Sequence, residues 1–90
     1  MKKKIIAKFF GQVQGVGFRY TAKSLADELG LVGFVKNIND DTVELVALGK
    51  EKNLKNFLKK VQENFNNNIK DVKYSWSKPS ETYQNFKIEI

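Results

Sequence analysis

The sequence predicts an α+β sandwich, in which one antiparallel sheet carries two helices on one of its faces. Two observations lead to this fold class. Helical spacing of apolar residues occurs in two segments, residues 18–29 and 52–65, and apolar residues alternate along the segments around them. A chain of 90 residues makes one domain with one core. We therefore treat residues 1–90 as a single domain.

A strand and a helix are predicted on either side of a glycine-rich loop, Gly11–Tyr20. The alternation of apolar residues predicts a strand over Lys4–Phe10, with Ile5, Ala7 and Phe9 on one face. A helix is predicted over Phe18–Leu29, where apolar residues recur at intervals of three and four: Phe18, Ala22, Leu25, Ala26 and Leu29. Gly30 is a natural end for this helix.

The next two strands, Leu31–Ile38 and Thr42–Leu48, are predicted to form a hairpin. Inward positions are expected at Val32 and Phe34 in the first strand and at Val43, Leu45 and Ala47 in the second. The connecting residues, Asn39, Asp40 and Asp41, favour a turn because their side chains bond back to the local backbone.

The second half of the chain repeats the pattern of helix and strand. Gly49 ends the hairpin, and a helix is predicted over Lys52–Phe65 with the apolar positions Leu54, Phe57, Leu58, Val61 and Phe65. The asparagine-rich run Asn64–Asn68 is interpreted as the end of this helix and a loop. A fourth strand, closed by Pro79, carries Val72, Tyr74 and Trp76, which we expect on the core face. A short last strand carries Phe86, Ile88 and Ile90.

The resulting order is βαββαβ with an extra terminal strand. Strands and helices in this order suit one antiparallel sheet with both helices on one face, which is the ferredoxin-like arrangement. Many unrelated activities share this fold, so the function has to be argued from a site.

Composition excludes several kinds of site. The chain has no cysteine and no histidine, so it lacks a cysteine nucleophile, a serine–histidine pair and the commonest metal ligand. The apolar run near the N-terminus is too short for a signal peptide, and no stretch is long enough to span a membrane. We expect a cytoplasmic monomer that needs no metal or other cofactor and has no membrane partner.

The formal net charge of +6 comes from lysines scattered through the predicted elements. We interpret it as a solvated surface, not as a nucleic-acid interface, although it can draw small phosphorylated anions toward the protein.

The loop Gly11–Tyr20 has the chemistry of an anion site. Its only groups that can hold a charged ligand are backbone N–H groups, freed by glycines, and the guanidinium of Arg19. A Walker A loop is excluded because no Gly-Lys-Ser/Thr follows. A dinucleotide fingerprint is excluded because Tyr20 occupies the position of its third glycine.

The sequence resembles the acylphosphatase family. The family signature Gly-x-Val-Gln-Gly-Val-x-Phe-Arg is filled in this chain by Gly11, Val13, Gln14, Gly15, Val16, Phe18 and Arg19. A second signature is matched by Gly33, Phe34, Val35, Lys36, Asn37, Val43 and Gly49. Two departures are visible. Asp41 stands where the family has a turn glycine, and Asn66, Asn67 and Asn68 replace a loop with glycine and proline.

The resemblance implies an enzyme that hydrolyses small-molecule acyl phosphates to carboxylate and inorganic phosphate. Arg19 would bind the substrate phosphate and Asn37 would orient the attacking water. Further phosphate contacts would come from backbone N–H groups of the loop, namely Gln14, Gly15, Val16, Gly17 and Phe18. A carboxylate, with a conjugate-acid pKa near about 4, leaves without a general acid, so the reaction needs no histidine.

Other interpretations remain. One alternative is a non-catalytic module that binds phosphate or carbamoyl phosphate. A nucleic-acid-binding ferredoxin-like domain is a weaker alternative, because we expect Phe34 in the core and not on an open sheet face. Tyr20, next to Arg19, borders the substrate or packs against its own helix.

Overall fold

The computed structural model describes residues 2–39 and 41–89. Within them the chain forms, in order, β1 (Lys2–Gly11), α1 (Phe18–Glu28), β2 (Val32–Asn39), β3 (Thr42–Lys50), α2 (Glu51–Asn64), β4 (Ile69–Ser77) and β5 (Phe86–Glu89). The predicted order of elements is confirmed. Two residues of the predicted pattern, Asp40 in the hairpin turn and Ile90 in the last strand, lie outside the described residues. Neither α1 nor α2 has the length and apolar character that a membrane span requires.

The five strands form one sheet with the order β4-β1-β3-β2-β5. The contacts β1–β3, β1–β4 and β2–β3 are antiparallel, whereas β5 lies parallel to β2. The predicted ferredoxin-like α+β sandwich is therefore confirmed, with the correction that the short C-terminal strand makes the sheet mixed. β5 is not paired with β4, because the chain crosses from the β4 edge of the sheet to the opposite edge before β5 begins, and there β5 pairs in parallel with β2.

The core lies between one face of the sheet and the two helices. In β1 and β3, alternate residues are fully buried on this face, and cross-strand pairs such as Ala7 with Leu45 bring them together. Their helical partners share the inner faces of α1 and α2: Phe18, Ala22, Ala26, Leu54, Phe57, Leu58 and Val61. The period-two and helical patterns thus predicted the core of these four elements correctly.

The inward face of β2 was predicted incorrectly. Val35 is fully buried against the helices, whereas Val32 and Phe34 lie on the opposite, helix-free face and are only half-buried. Both alternating sets of β2 carry apolar residues, so period two alone does not decide between them. The second face needs apolar residues because the segment after β4 crosses it and sets Tyr83 against Phe34, with ring centroids 6.0 Å apart.

This correction removes the reason given above against a nucleic-acid interface. Phe34 is not a core residue of the helix-covered face. Its ring instead contacts Tyr83 at one side and carries the Lys36 ammonium 5.4 Å from its centroid.

The hairpin between β2 and β3 keeps its turn without the glycine that the family resemblance leads one to expect. Asp41, the described residue of this turn next to β3, is exposed and connects the turn to the end of β1. Its carbonyl oxygen accepts a hydrogen bond of 3.1 Å from the Gly11 amide.

Candidate active site

The loop between β1 and α1 is held by its neighbours on two sides. At its start, the Gln12 amide donates to the Asn68 carbonyl oxygen over 2.9 Å. Farther along, the Gln14 Nε2 atom donates to the carbonyl oxygen of Thr42, in β3, over 3.0 Å. Val13 between them is buried in the core. The first part of the β1–α1 loop is thus fixed before its exposed part begins.

Two glycines shape the exposed part of the loop. Gly15 and Gly17 have φ angles of 76° and 80°, in the left-handed region where other residues are strained. A Cβ at either position would meet no atom within 4 Å, so the constraint is the backbone conformation itself and not lack of space. Alternating left-handed glycines turn successive amides toward one concave region, which is the geometry of an anion-binding nest.

The N-terminus of α1 adds more free amides. Gly17 is the N-cap residue, and neither a capping side chain nor an acidic residue stands at the first turn. The first hydrogen bond of the helix runs from the Thr21 amide to the Gly17 carbonyl oxygen over 3.0 Å. The amides of Phe18, Arg19 and Tyr20 consequently precede the first hydrogen bond of the helix and have no acceptor within α1. Together with the helix dipole, they favour an anion at this point.

The first turn of α1 is fixed by an aromatic cluster. Phe18 is buried, and its ring centroid lies 5.1 Å from that of Phe9 in β1 and 4.9 Å from that of Phe65 at the end of α2. Arg19 follows directly and is half-buried. Its guanidinium forms no ion pair with any residue that the structure describes. An unpaired guanidinium beside free amides is suited to two oxygens of one phosphate.

Asn37 lies in β2 on the helix-covered face of the sheet. It is paired with Val43 in β3, and the register shifts immediately after it, so that Ile38 bulges out. The Oδ1 atom of Asn37 is buried and accepts no hydrogen bond from the described residues. A buried acceptor left without a donor costs about 1–3 kcal/mol, so this oxygen requires an explanation. A hydrogen bond from a donor outside the protein, such as a water molecule, provides that explanation.

Cross-strand pairing brings the two predicted residues to the same end of the sandwich. Val43 is the pairing partner of both Asn37 and Phe9, and the ring of Phe9 contacts Phe18, next to Arg19. Thr42, which precedes Val43, holds Gln14. The loop, Arg19 and Asn37 therefore share the end of the sheet at the β2–β3 turn, on the helix-covered face.

The exposure of side chains around the loop decides one alternative from the sequence. Tyr20 is 73% exposed and Val16 is 43% exposed, so the interpretation that Tyr20 packs against its own helix is wrong.

Sequence reasoning missed the anchors of the loop. Thr42 and Asn68 hold it through backbone carbonyl oxygens, to which any residue type contributes. The burial of the Asn37 oxygen was also not predicted, because a pattern of residue types does not show whether a single atom is buried. For Gln14, by contrast, its position in the family signature could have indicated a contact that holds the loop.

The side chains whose pKa values are perturbed lie away from this loop. Lys4 donates to Glu81 and lowers the pKa of that carboxyl, and burial raises the pKa of Tyr83. Both residues belong to the segment that crosses the helix-free face of the sheet.

Comparisons with known proteins agree on one family. The chain matches the family model described as Acylphosphatase over residues 5–88. A curated relative from Clostridium acetobutylicum, named acylphosphatase, is 48% identical over 63 residues, which cover 70% of this chain and 69% of the relative. Another acylphosphatase, from Bacillus licheniformis, is 44% identical over 79 residues, covering 87% of this chain and 88% of the relative.

A solved structure extends the similarity to the whole fold. The crystal structure of acylphosphatase from Bacillus subtilis superposes with a TM-score of 0.86, at 35% sequence identity, and the match covers 100% of both chains.

Proposed function

This chain belongs to the acylphosphatase family and is an acylphosphatase enzyme, and we propose that its reaction takes place at the β1–α1 loop. The proposed substrate is a small-molecule acyl phosphate, which is hydrolysed to carboxylate and inorganic phosphate. One observation carries the location. The loop joins an uncapped helix N-terminus, two left-handed glycines and the unpaired Arg19 in one place.

The phosphoryl group is proposed to bind to the loop amides and Arg19. Backbone donors from Gln14 to Phe18 surround its oxygens, and the guanidinium holds two of them through its planar fork. The anchors at Gln12 and Gln14 hold the start of the loop and so support the placement of these donors. Such preorganised donors stabilise charge that grows on the phosphoryl oxygens in the transition state.

Asn37 is proposed to position the attacking water. Its buried Oδ1 atom accepts a hydrogen bond from that water, which explains an acceptor otherwise left without a donor. An amide does not titrate, so Asn37 orients the water and does not remove its proton. The water oxygen bonds to phosphorus as the bond from phosphorus to the acyl oxygen breaks, and the carboxylate leaves with the electron pair. One water proton stays on the new P–OH group and the other moves to a phosphoryl oxygen.

The proposal includes action without a metal ion, as a monomer, in the cytoplasm, with residues 1–90 acting as one domain. The absence of cysteine suits a reducing compartment. Turnover of benzoyl phosphate in the presence of a chelator, and the molecular mass in solution by sedimentation, test the first two points. Loss of turnover on chelation contradicts metal independence.

Arg19 gives the first test. Replacement by alanine removes the guanidinium that we propose binds the phosphate, and we expect kcat/KM for benzoyl phosphate to fall by about 10²–10³. Arg19→Lys restores the charge but not the planar fork, so it does not recover the activity. Lys23→Ala is the matched control, because it removes a cation from the next turn of α1, where Lys23 pairs with Asp27. Near-normal turnover in Arg19→Ala contradicts the proposal.

Asn37 gives the second test, which separates water positioning from phosphate binding. Asn37→Ala removes the acceptor, so we expect kcat to fall by about 10²-fold while the inhibition constant of inorganic phosphate stays within about threefold. Asn37→Asp keeps the shape but places a carboxylate near the phosphate, and we expect both quantities to worsen. An alanine variant with unchanged kcat, or with phosphate binding lost in proportion, contradicts this role.

A further inference from the structure

The exposed large apolar side chains of the described residues fall into two pairs. Val16 and Tyr20 flank the candidate active site, whereas Tyr74, 53% exposed, and Trp76, 36% exposed, both lie in β4. Residues two apart in a strand point to the same face, and the pairing of Tyr74 with Ala7 and of Trp76 with Ile5 places that face on the side of the helices. The expectation that these rings lie on the core face is therefore correct, yet they are not covered.

The arrangement of the helices explains this exposure. β4 is an edge strand, and the helices pack mainly on the other four strands. A groove of about 590 Å³ consequently remains between β4 and α2. On the side of the groove formed by α2, the apolar lining residue is Leu58, which is almost fully buried.

The two rings of the groove are free to contact a planar ligand. Successive same-face residues of a strand are about 6.8 Å apart, and no ring contact joins Tyr74 and Trp76 in the described structure. Aromatic partners prefer centroid distances of about 4.5–7 Å in offset or edge-to-face arrangements. One planar ring lying along the strand can therefore contact both side chains.

The helical wall of the groove is cationic. Lys55 and Lys59 lie one turn apart on α2, and Glu63 is the acidic residue among the lining side chains. Lys55 is engaged with Glu51 at 2.9 Å, whereas Lys59 forms no ion pair within residues 2–39 and 41–89. Asn66, at the end of the groove toward the loop anchor Asn68, adds an amide that can donate to an anion.

We propose that this groove binds a planar aromatic anion, of which a nucleoside monophosphate is a representative. The ring lies on Tyr74 and Trp76, and the anionic group is held by the Lys59 ammonium. The combination of aromatic surface with a nearby free cation selects for both parts of such a ligand: an uncharged ring lacks the ion pair, and a non-aromatic phosphate lacks the stacking. The site is separate from the β1–α1 loop and does not depend on acyl phosphate hydrolysis.

Trp76 makes the proposal directly measurable, because it is the only tryptophan of the chain. Titration with AMP, followed by tryptophan fluorescence, is expected to give a saturable change. Adenosine and ribose 5-phosphate are each expected to bind at least about tenfold more weakly. Tyr74→Ala and Lys59→Gln should each weaken AMP binding by about fivefold or more, with hydrolytic activity unchanged.

Lys87→Gln is the matched control. It removes one exposed lysine from β5, at the opposite edge of the sheet, and should leave AMP binding unchanged. Arg19→Ala should also retain AMP binding, since the groove does not use the loop. Circular dichroism confirms that each variant is folded.

Three results overturn the proposal. The first is the absence of a saturable fluorescence change up to about 10 mM AMP. The second is equal binding of adenosine, which denies a role to the charge. The third is loss of AMP binding in Arg19→Ala with no effect of Tyr74→Ala, which places the ligand at the catalytic loop.

Discussion

Gly17 combines two tasks at a single residue, since it occupies the N-cap position of α1 and gives the loop the left-handed turn that exposes its amides. Its backbone has φ 80° and ψ 14°, and open space surrounds the position of a Cβ. We therefore expect Gly17→Ala to lower the free energy of unfolding by about 1–2 kcal/mol through backbone strain alone. Gly17→Asn should lose less, because asparagine tolerates this conformation, and Gly17→Val should lose most.

Urea unfolding of the three variants, together with kcat/KM for benzoyl phosphate, tests this ranking. Activity should fall in the same order as stability, because the strain is relieved by moving the amides that we propose bind phosphate. If the valine variant is as stable and active as the original protein, the left-handed backbone of Gly17 is not a constraint.

Residue identity predicted some parts of the candidate site and not others. Arg19 and the glycines were found because anion binding by a loop requires those residue types close together in sequence. The structure added two features that depend on pairing across the sheet. One is the bulge at Ile38, and the other is the buried Asn37 oxygen, which accepts no hydrogen bond from the described residues. These depend on the register between β2 and β3, which residue types do not encode locally.

At the scale of elements, one carboxylate links the start of α2 to β1. Glu51 accepts from Lys3 at 2.8 Å and from Lys55 at 2.9 Å. These hydrogen bonds, that of Lys3 foremost, lower the pKa of the Glu51 carboxyl to about 2. A group whose pKa is lower in the folded state stabilises the protein above its unfolded pKa and loses that contribution as the pH falls through the folded value.

We therefore expect Glu51→Gln to remove part of the acid sensitivity of the protein between about pH 4.5 and pH 2. The urea midpoint of the original protein should fall through this window more steeply than that of the variant. Because Glu51 is solvent-exposed, the difference should be small and should shrink at high salt. Parallel pH profiles of the two proteins, or a difference that salt leaves unchanged, contradict the assignment.

Elements also differ in how well a hydrophobic pattern determines their orientation. α2 has one apolar stripe, so its buried residues were predicted correctly. β2 has apolar residues on both faces, since Val35 packs under the helices and Phe34 under Tyr83. The segment that covers Phe34 has no regular pattern of its own, and for this reason the hydrophobic pattern did not determine which face of β2 lies under the helices.

The whole molecule carries a formal net charge of +6, from 16 basic and 10 acidic residues. Several of its lysines neutralise acidic neighbours locally, as the ion pairs of Lys3, Lys4 and Lys23 illustrate. The positive charge that remains attracts any anion approaching the protein at long range, and the proposed substrate is a dianion. At the scale of the molecule, charge therefore affects encounter and not the chemical step.

This separation predicts how turnover depends on ionic strength. From about 10 mM to 200 mM salt, where the screening length falls from about 30 Å to less than 10 Å, kcat/KM for benzoyl phosphate should decrease severalfold. The kcat should stay nearly constant, because the donors of the loop act on bound substrate at contact distance. Lys87→Gln, remote from both proposed sites, should lower kcat/KM slightly at low salt and not at high salt. A kcat that falls in parallel with kcat/KM shows instead that salt ions occupy the loop, and a kcat/KM independent of salt shows that the net charge plays no part in substrate capture.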